Sequence, residues 1–297
     1  MSAPSLDRAG DLWYNSTEKG GGGMFLTKKG FAKILIMAIC YIALGSICVA
    51  LGVAFSLAGA DATLLLMLGV IVFLLCVLIV LWGLYAEGKG KLLNSARKLV
   101  RIDLHPGNFI KEYESLKGSQ ELIIKKPSFE VLQMLAVAYD SLDEREKCLA
   151  TVEEMIAVAP VKKRTQAELF RVSILFSYGK KEEAELIFIK LQEQKLDAVS
   201  KLMVDSILKS DRAKAMGDYK TVELYNLNLL ERSFPKLDNL GSLIVNYTLG
   251  EVYEKLGESE KSLARYEYCA ANGGDTAIKT AAKKAIDSLK KNEATDL

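Results

Sequence analysis

The residues with chemical potential are few and poorly grouped. Gly83, Gly88 and Lys89 match the glycines and lysine of a phosphate-binding loop, but Gly90 stands where a serine or threonine must reach magnesium. An apolar, helix-length run precedes them where such a loop needs a strand, so phosphate binding is not expected. His105 is the single histidine and lies beside Pro106 and Gly107, with no cysteine or serine motif near it; it reads as part of a helix-breaking turn. The five cysteines include no C-x-x-C pair, which excludes the usual kind of zinc site. Cys40, Cys48 and Cys76 lie in apolar stretches, and Cys148 and Cys269 fall where small residues pack between helices, so reduced thiols are expected. Carboxylates are abundant, yet Glu182 and Glu183 sit near Lys180 and Lys181 at the spacing of a solvated helical face. Asn15 and Asn246 begin glycosylation sequons on what is expected to be the cytoplasmic side. No catalytic residue, metal or cofactor emerges, and the chain is not expected to be an enzyme.

The elements that carry these residues divide sharply by polarity. Half of the 297 residues are hydrophobic while 26% are charged, and the two classes are segregated along the chain. Residues 1–30, with Gly20 to Gly23 in a row, read as a flexible tail. Residues 31–87 contain two uncharged stretches, 34–57 and 63–85, separated by a loop around Asp61. Each is long enough to cross a hydrocarbon core of about 30 Å as a helix, so a two-helix transmembrane hairpin is expected. Lys28, Lys29 and Lys33 precede it, and Lys89, Lys91, Arg97, Lys98 and Arg101 follow it, while the loop carries no base. Both termini, and everything beyond Gly88, are therefore expected in the cytoplasm of an integral membrane protein. The basic set after the second stretch would lie at the membrane surface, where it could also meet anionic headgroups. Ser46, Ala50, Ala54 and Ala58, beside Gly45 and Gly52, form a small-residue stripe that suits packing on the second stretch or a homo-oligomer contact. A cleaved signal sequence ending near Ala60 is the rival reading. A channel is disfavoured because the stretches lack ionisable groups. A net charge of +2, with both signs mixed, gives no reason to expect nucleic acid.

From Gly88 onward apolar residues recur at helical spacing in segments of about a dozen, broken by Gly, Pro or Asn. Leu122 to Ile124 is the only strand-like stretch. An all-α fold follows, with a helix pair over 88–127 and repeats over 128–297. The repeat is clearest where Leu249 and Gly250 precede Tyr253, Gly257, Ser262, Tyr266 and Cys269. A second copy has Leu135, Ala136, Tyr139, Cys148, Val152 and Met155. A third keeps Gly179, Ala184, Phe188 and Leu191. A fourth keeps Ala213, Gly217 and Tyr219 but has Lys209 and Ser210 in place of Leu-Gly. Residues 275–291 read as a polar capping helix.

These positions resemble the tetratricopeptide repeat, and the resemblance covers about residues 129–289. It implies an α-solenoid whose first helices line a groove for an extended peptide or a partner helix. On this chain that face comprises Gln133, Val137 and Asp140; Phe170, Ile174 and Ser177; Ile207, Asp211 and Lys214; and Tyr247, Glu251 and Glu254. Apolar and acidic side chains dominate the set, so a basic or amphipathic segment is the expected ligand. The function expected is a membrane-anchored scaffold that binds a protein or peptide partner. The alternative is a structural subunit or assembly factor of a larger membrane complex, with the hairpin making the specific contacts.

Overall fold

The computed structural model describes residues 25–57, 67, 70–71, 73–75, 77–78, 92–118, 122–125, 127–231 and 236–295. They belong to two compact units: Leu93–Glu112 with Ser128–Leu297, and Gly23–Leu92 with Tyr113–Pro127.

In the larger unit, chain geometry repeats at the turns. The helical residues 92–102, whose last part Arg97–Ile102 is π-helical, lead to α2 (Pro106–Gly118). Then come α3 (Phe129–Ser141) with α4 (Arg145–Val158), and α5 (Val161–Ser177) with α6 (Lys181–Gln192). The next first helix is built from α7 (Ala198–Ser206), a π-helical run Ile207–Arg212 and α8 (Ala213–Met216), and its partner is α9 (Tyr219–Glu231). α10 (Asn239–Lys255) pairs with α11 (Ser259–Asn272), and α12 (Ala277–Thr295) closes the array. Between the two helices of each pair one residue takes a left-handed conformation: Leu104, Asp143, Gly179, Gly217 and Gly257, spaced 36 to 40 residues apart. That conformation stops a helix and frees the chain to reverse. Ser128, Asp197 and Asp238 accept from backbone N–H groups three residues on, so three of the first helices begin at side-chain caps.

Packing follows from small residues opposite large ones. A Cβ on Gly250 would lie 2.7 Å from the Tyr266 ring, so only glycine admits the approach of α11 to α10. The Ser262 hydroxyl donates to the Gly250 carbonyl at 2.8 Å and closes the same contact. Counting from the turn residue, Ala136 and Cys148 in the α3–α4 pair occupy the equivalent positions and are wholly buried. Val172, Ala184 and Phe188 do the same in the α5–α6 pair. In the fourth pair Asn226 stands at the aromatic position; it is buried and donates back to the Val222 carbonyl at 2.8 Å. Its first helix is the one interrupted by the π-helical run, at the Lys209 and Ser210 that replace Leu-Gly. Ala213, Val222 and Val252 then join that pair to the next, with Tyr219 and Leu256 packed on them.

In the smaller unit, β1 (Phe25–Thr27) runs antiparallel to β2 (Leu122–Lys125), with Phe25 opposite Lys125. The expected tail thus ends before Phe25, and the strand-like stretch at 122 finds a partner about a hundred residues earlier. α1 (Lys28–Leu57) follows β1 directly.

Two expectations are corrected here. Among the described residues no helix is long and apolar enough to cross a membrane. A span requires about 20 consecutive apolar positions. Most of the stretch 63–85 lies outside the described residues. The transmembrane hairpin therefore does not stand, nor does the integral-membrane placement with cytoplasmic termini that rested on it. Within α1, Gly45 and Gly52 are buried, and a Cβ on Gly45 would sit 3.6 Å from Phe73. Ser46, Ala50 and Ala54 are exposed, so the packed face is the glycine one; Ala58 lies outside the described residues. Lys89 and Lys91 also lie outside them. Arg97, Lys98 and Arg101 are on the π-helical run of the larger unit, where Arg101 turns to Asp238.

Replacing Gly250 by alanine is expected to lower the free energy of unfolding by about 1–3 kcal/mol, the cost of overpacking a filled contact. Urea titration of the full chain checks this. Gly257→Ala, where nothing lies within 4 Å of the added carbon but φ is +75°, should cost about 1 kcal/mol through backbone strain alone.

Candidate protein-binding face

The first helices of successive pairs carry side chains that meet across the gap between pairs at a nearly constant interval. The Tyr178 hydroxyl donates to Asp140 at 2.9 Å, across 38 residues. Ser173 donates to Asp211 at 2.6 Å, again across 38. Lys214 binds Glu251 across 37. Each bond joins one pair to the next; the carboxylates Asp140, Asp211 and Glu251 come from the second, fourth and fifth pairs, while the third supplies the donors Tyr178 and Ser173. In the fifth pair the Tyr266 hydroxyl donates to Glu254 at 3.0 Å, and the Tyr247 and Tyr266 rings lie 5.6 Å apart.

Burial sets the electrostatics of this set. Asp211 lies on the π-helical run, and its carboxyl is pushed up to about 6, mainly by burial; the Ser173 hydroxyl and Lys214 oppose the shift, and the charge of Asp140 adds to it. Asp140 is likewise raised by burial, with Tyr178 pulling the other way and Asp143 adding repulsion. Tyr178 and Tyr266 are raised, first by burial and then by the neighbouring carboxylates and, for Tyr178, Cys148. Tyr247 is pushed up to about 12 by burial and the nearby Glu251.

The twelve residues expected on this face do not share one environment. Gln133, Phe170, Ile174 and Ile207 are buried in the array. Val137, Asp140, Asp211, Lys214, Tyr247 and Glu251 are half-buried, whereas Ser177 and Glu254 are exposed. Ser177 donates back to the Ile174 carbonyl of its own helix at 2.8 Å. Tyr178, Ser173 and Tyr266, which complete the polar contacts, were not among the expected residues; the shared interval of about 38 was the signal that could have found them.

Other groups are accounted for differently. Cys148 and Cys269 are buried free thiols pushed up to about 12 by burial, and Cys40 is free and exposed. Such buried thiols make poor nucleophiles. A cleft between α5 and α6 is lined by Arg164, Glu168, Arg171 and Lys190, but Arg171 already pairs with Glu153 at 3.2 Å and Glu183 at 3.0 Å. Among the described residues no group of three His, Cys, Asp or Glu side chains is arranged to hold a metal ion. His105 does more than break a helix: its Nδ1 lies 2.5 Å from Asp275, 170 residues away.

No family model, curated protein or solved structure matches this chain.

Asp211 supplies a pH-dependent test. Its folded value near 6 lies above the ordinary 3.8, so its contribution to stability is complete below about pH 4 and is lost as pH rises through 6. Asp211→Asn keeps an acceptor for Ser173 and removes the charge. It should raise stability at pH 7.5 by about 2 kcal/mol and change it little at pH 4. Thermal melts at the two pH values decide this.

Proposed function

We propose that the chain is a binding scaffold without chemistry of its own, and that its ligand is a basic, amphipathic protein segment held along the first-helix face. The observation that carries this reading is the set Asp140, Asp211, Glu251 and Glu254, contributed by the first helices of three pairs and half-buried except for the exposed Glu254. Buried acids are costly to maintain, and a face that keeps several of them for packing alone would be better served by apolar residues. Tyr247 adds a broad apolar surface with a polar tip, a composition enriched in recognition sites. The left-handed turns and small-against-large contacts agree with the tetratricopeptide-like pattern in the sequence, and a ligand along first helices is what that likeness implies.

The test uses the full chain and a fluorescent peptide of three helical turns with leucines on one side and lysines on the other. Anisotropy should show saturable binding that weakens as salt rises. An isomer with glutamates for lysines should fail to bind. Asp140→Asn combined with Glu251→Gln should weaken the lysine peptide about tenfold, the effect of losing roughly 1.4 kcal/mol, with the circular dichroism spectrum unchanged. Equal binding of the two peptides, or none that saturates, defeats the proposal.

A further inference from the structure

The segment 93–105 joins the two ends of the array. Leu93, Ala96 and Val100 are almost completely buried and recur at intervals of three and four residues, which puts them on one helical face, and Leu104, just beyond the helix end, is buried as well. Its π-helical part packs against both α3, the first helix after β2, and α10, the first helix of the last pair. Its outer side carries Arg97, Lys98 and Arg101. Arg101 reaches Asp238 at 2.5 Å, and Asn239 donates to the Ile102 carbonyl at 2.7 Å. The Asp275 backbone donates to the Leu104 carbonyl at 2.9 Å, beside the pair of His105 with Asp275. Gly274 is shaped for this contact, since a Cβ there would lie 2.4 Å from the Leu104 oxygen. Leu104 itself is held at φ +57°, a conformation that leucine rarely adopts.

A basic amphipathic helix is the ligand class inferred above for this array, and 93–105 has that chemistry while lying against its terminal first helices. We infer that 93–105 is a built-in latch, and that the surface of α3 and α10 beneath it recognises a helix from another protein with apolar residues spaced like 93, 96 and 100 and a basic edge. The incoming helix displaces the latch and takes its place. The trans ligand rests on the binding role proposed above; the latch contact rests on its own geometry. The left-handed Leu104, the π-helical turn and the partly exposed charge pairs are the points at which the segment gives way to a competing helix.

The experiment follows amide hydrogen exchange in the full chain and in Val100→Asp, which places a charge in the buried face of the latch and leaves α3 and α10 intact. A fluorescent peptide of residues 93–105 is the probe in trans, and Arg101→Glu is the milder second variant. In Val100→Asp, protection across 93–105 should fall at least tenfold while α10 and α11 keep theirs. The peptide should bind this variant at least tenfold more tightly than the parent chain, with Arg101→Glu between them. Loss of protection throughout the array makes the segment ordinary core and overturns the latch, as does unchanged protection in both variants. Release of the segment without peptide uptake overturns recognition in trans. Binding of the lysine–leucine peptide with unchanged latch protection overturns this inference while leaving the binding role intact.

Discussion

Everything in the larger unit depends on how closely the two helices of a pair can approach. Gly250 against Tyr266 is the tightest instance: the ring fills the space that any side chain at 250 would need, and Ser262 completes the contact with a bond to the glycine carbonyl. Once the helices lie that close, the turn between them must be short, and a left-handed residue supplies the reversal. The same constraint explains the wholly buried Ala136, Cys148, Val172 and Ala184 at matching positions. Where it is relaxed, as at Lys209 and Ser210 opposite Asn226, the first helix carries a π-helical run instead of a regular one. Such insertions occur often at functional positions, and this one carries Asp211.

Close pairs leave the contacts between pairs to longer side chains. Asp140 with Tyr178, Ser173 with Asp211 and Lys214 with Glu251 are spaced by the repeat itself, so one face becomes acidic as a consequence of stacking. A separate buried pair, Lys163 with Glu130 at 2.8 Å, ties α5 to α3. Removing one partner of such a pair leaves an uncompensated buried charge, which costs about 3–5 kcal/mol. Successive pairs are thus joined at an interval of 37 or 38 residues.

Much of this was legible in the residues. Helical periodicity located the pairs, and Gly179, Gly217 and Gly257 marked turns whose left-handed geometry only glycine adopts freely. Asp143 and Leu104 take the same conformation without that signal, which is why the first pair was hard to see. Periodicity also assigned Phe170, Ile174 and Ile207 to the binding side, yet they are buried; spacing reveals a face and not what packs on it. Partners far apart in sequence were out of reach: His105 with Asp275, Arg101 with Asp238, and the strand at Phe25 with the one at Lys125. The small-residue stripe in α1 misled for a related reason, because serine and alanine are tolerated on either side of a helix while Gly45 and Gly52 are the buried pair. The two apolar stretches suggested membrane spans, but no described helix is both long and apolar enough to be one.

The central claim is that acidic side chains couple one helix pair to the next along the first-helix face. A double-mutant cycle on Ser173→Ala and Asp211→Ala, each of which removes the contact, measured by urea unfolding of the full chain at pH 7.5, tests it most directly. A coupling free energy of about 1 kcal/mol or more is the result the account requires, since a hydrogen bond to a charged group is broken only once. Additive effects within about 0.3 kcal/mol would mean that the two residues do not meet, and the line of inter-pair contacts would fall with them.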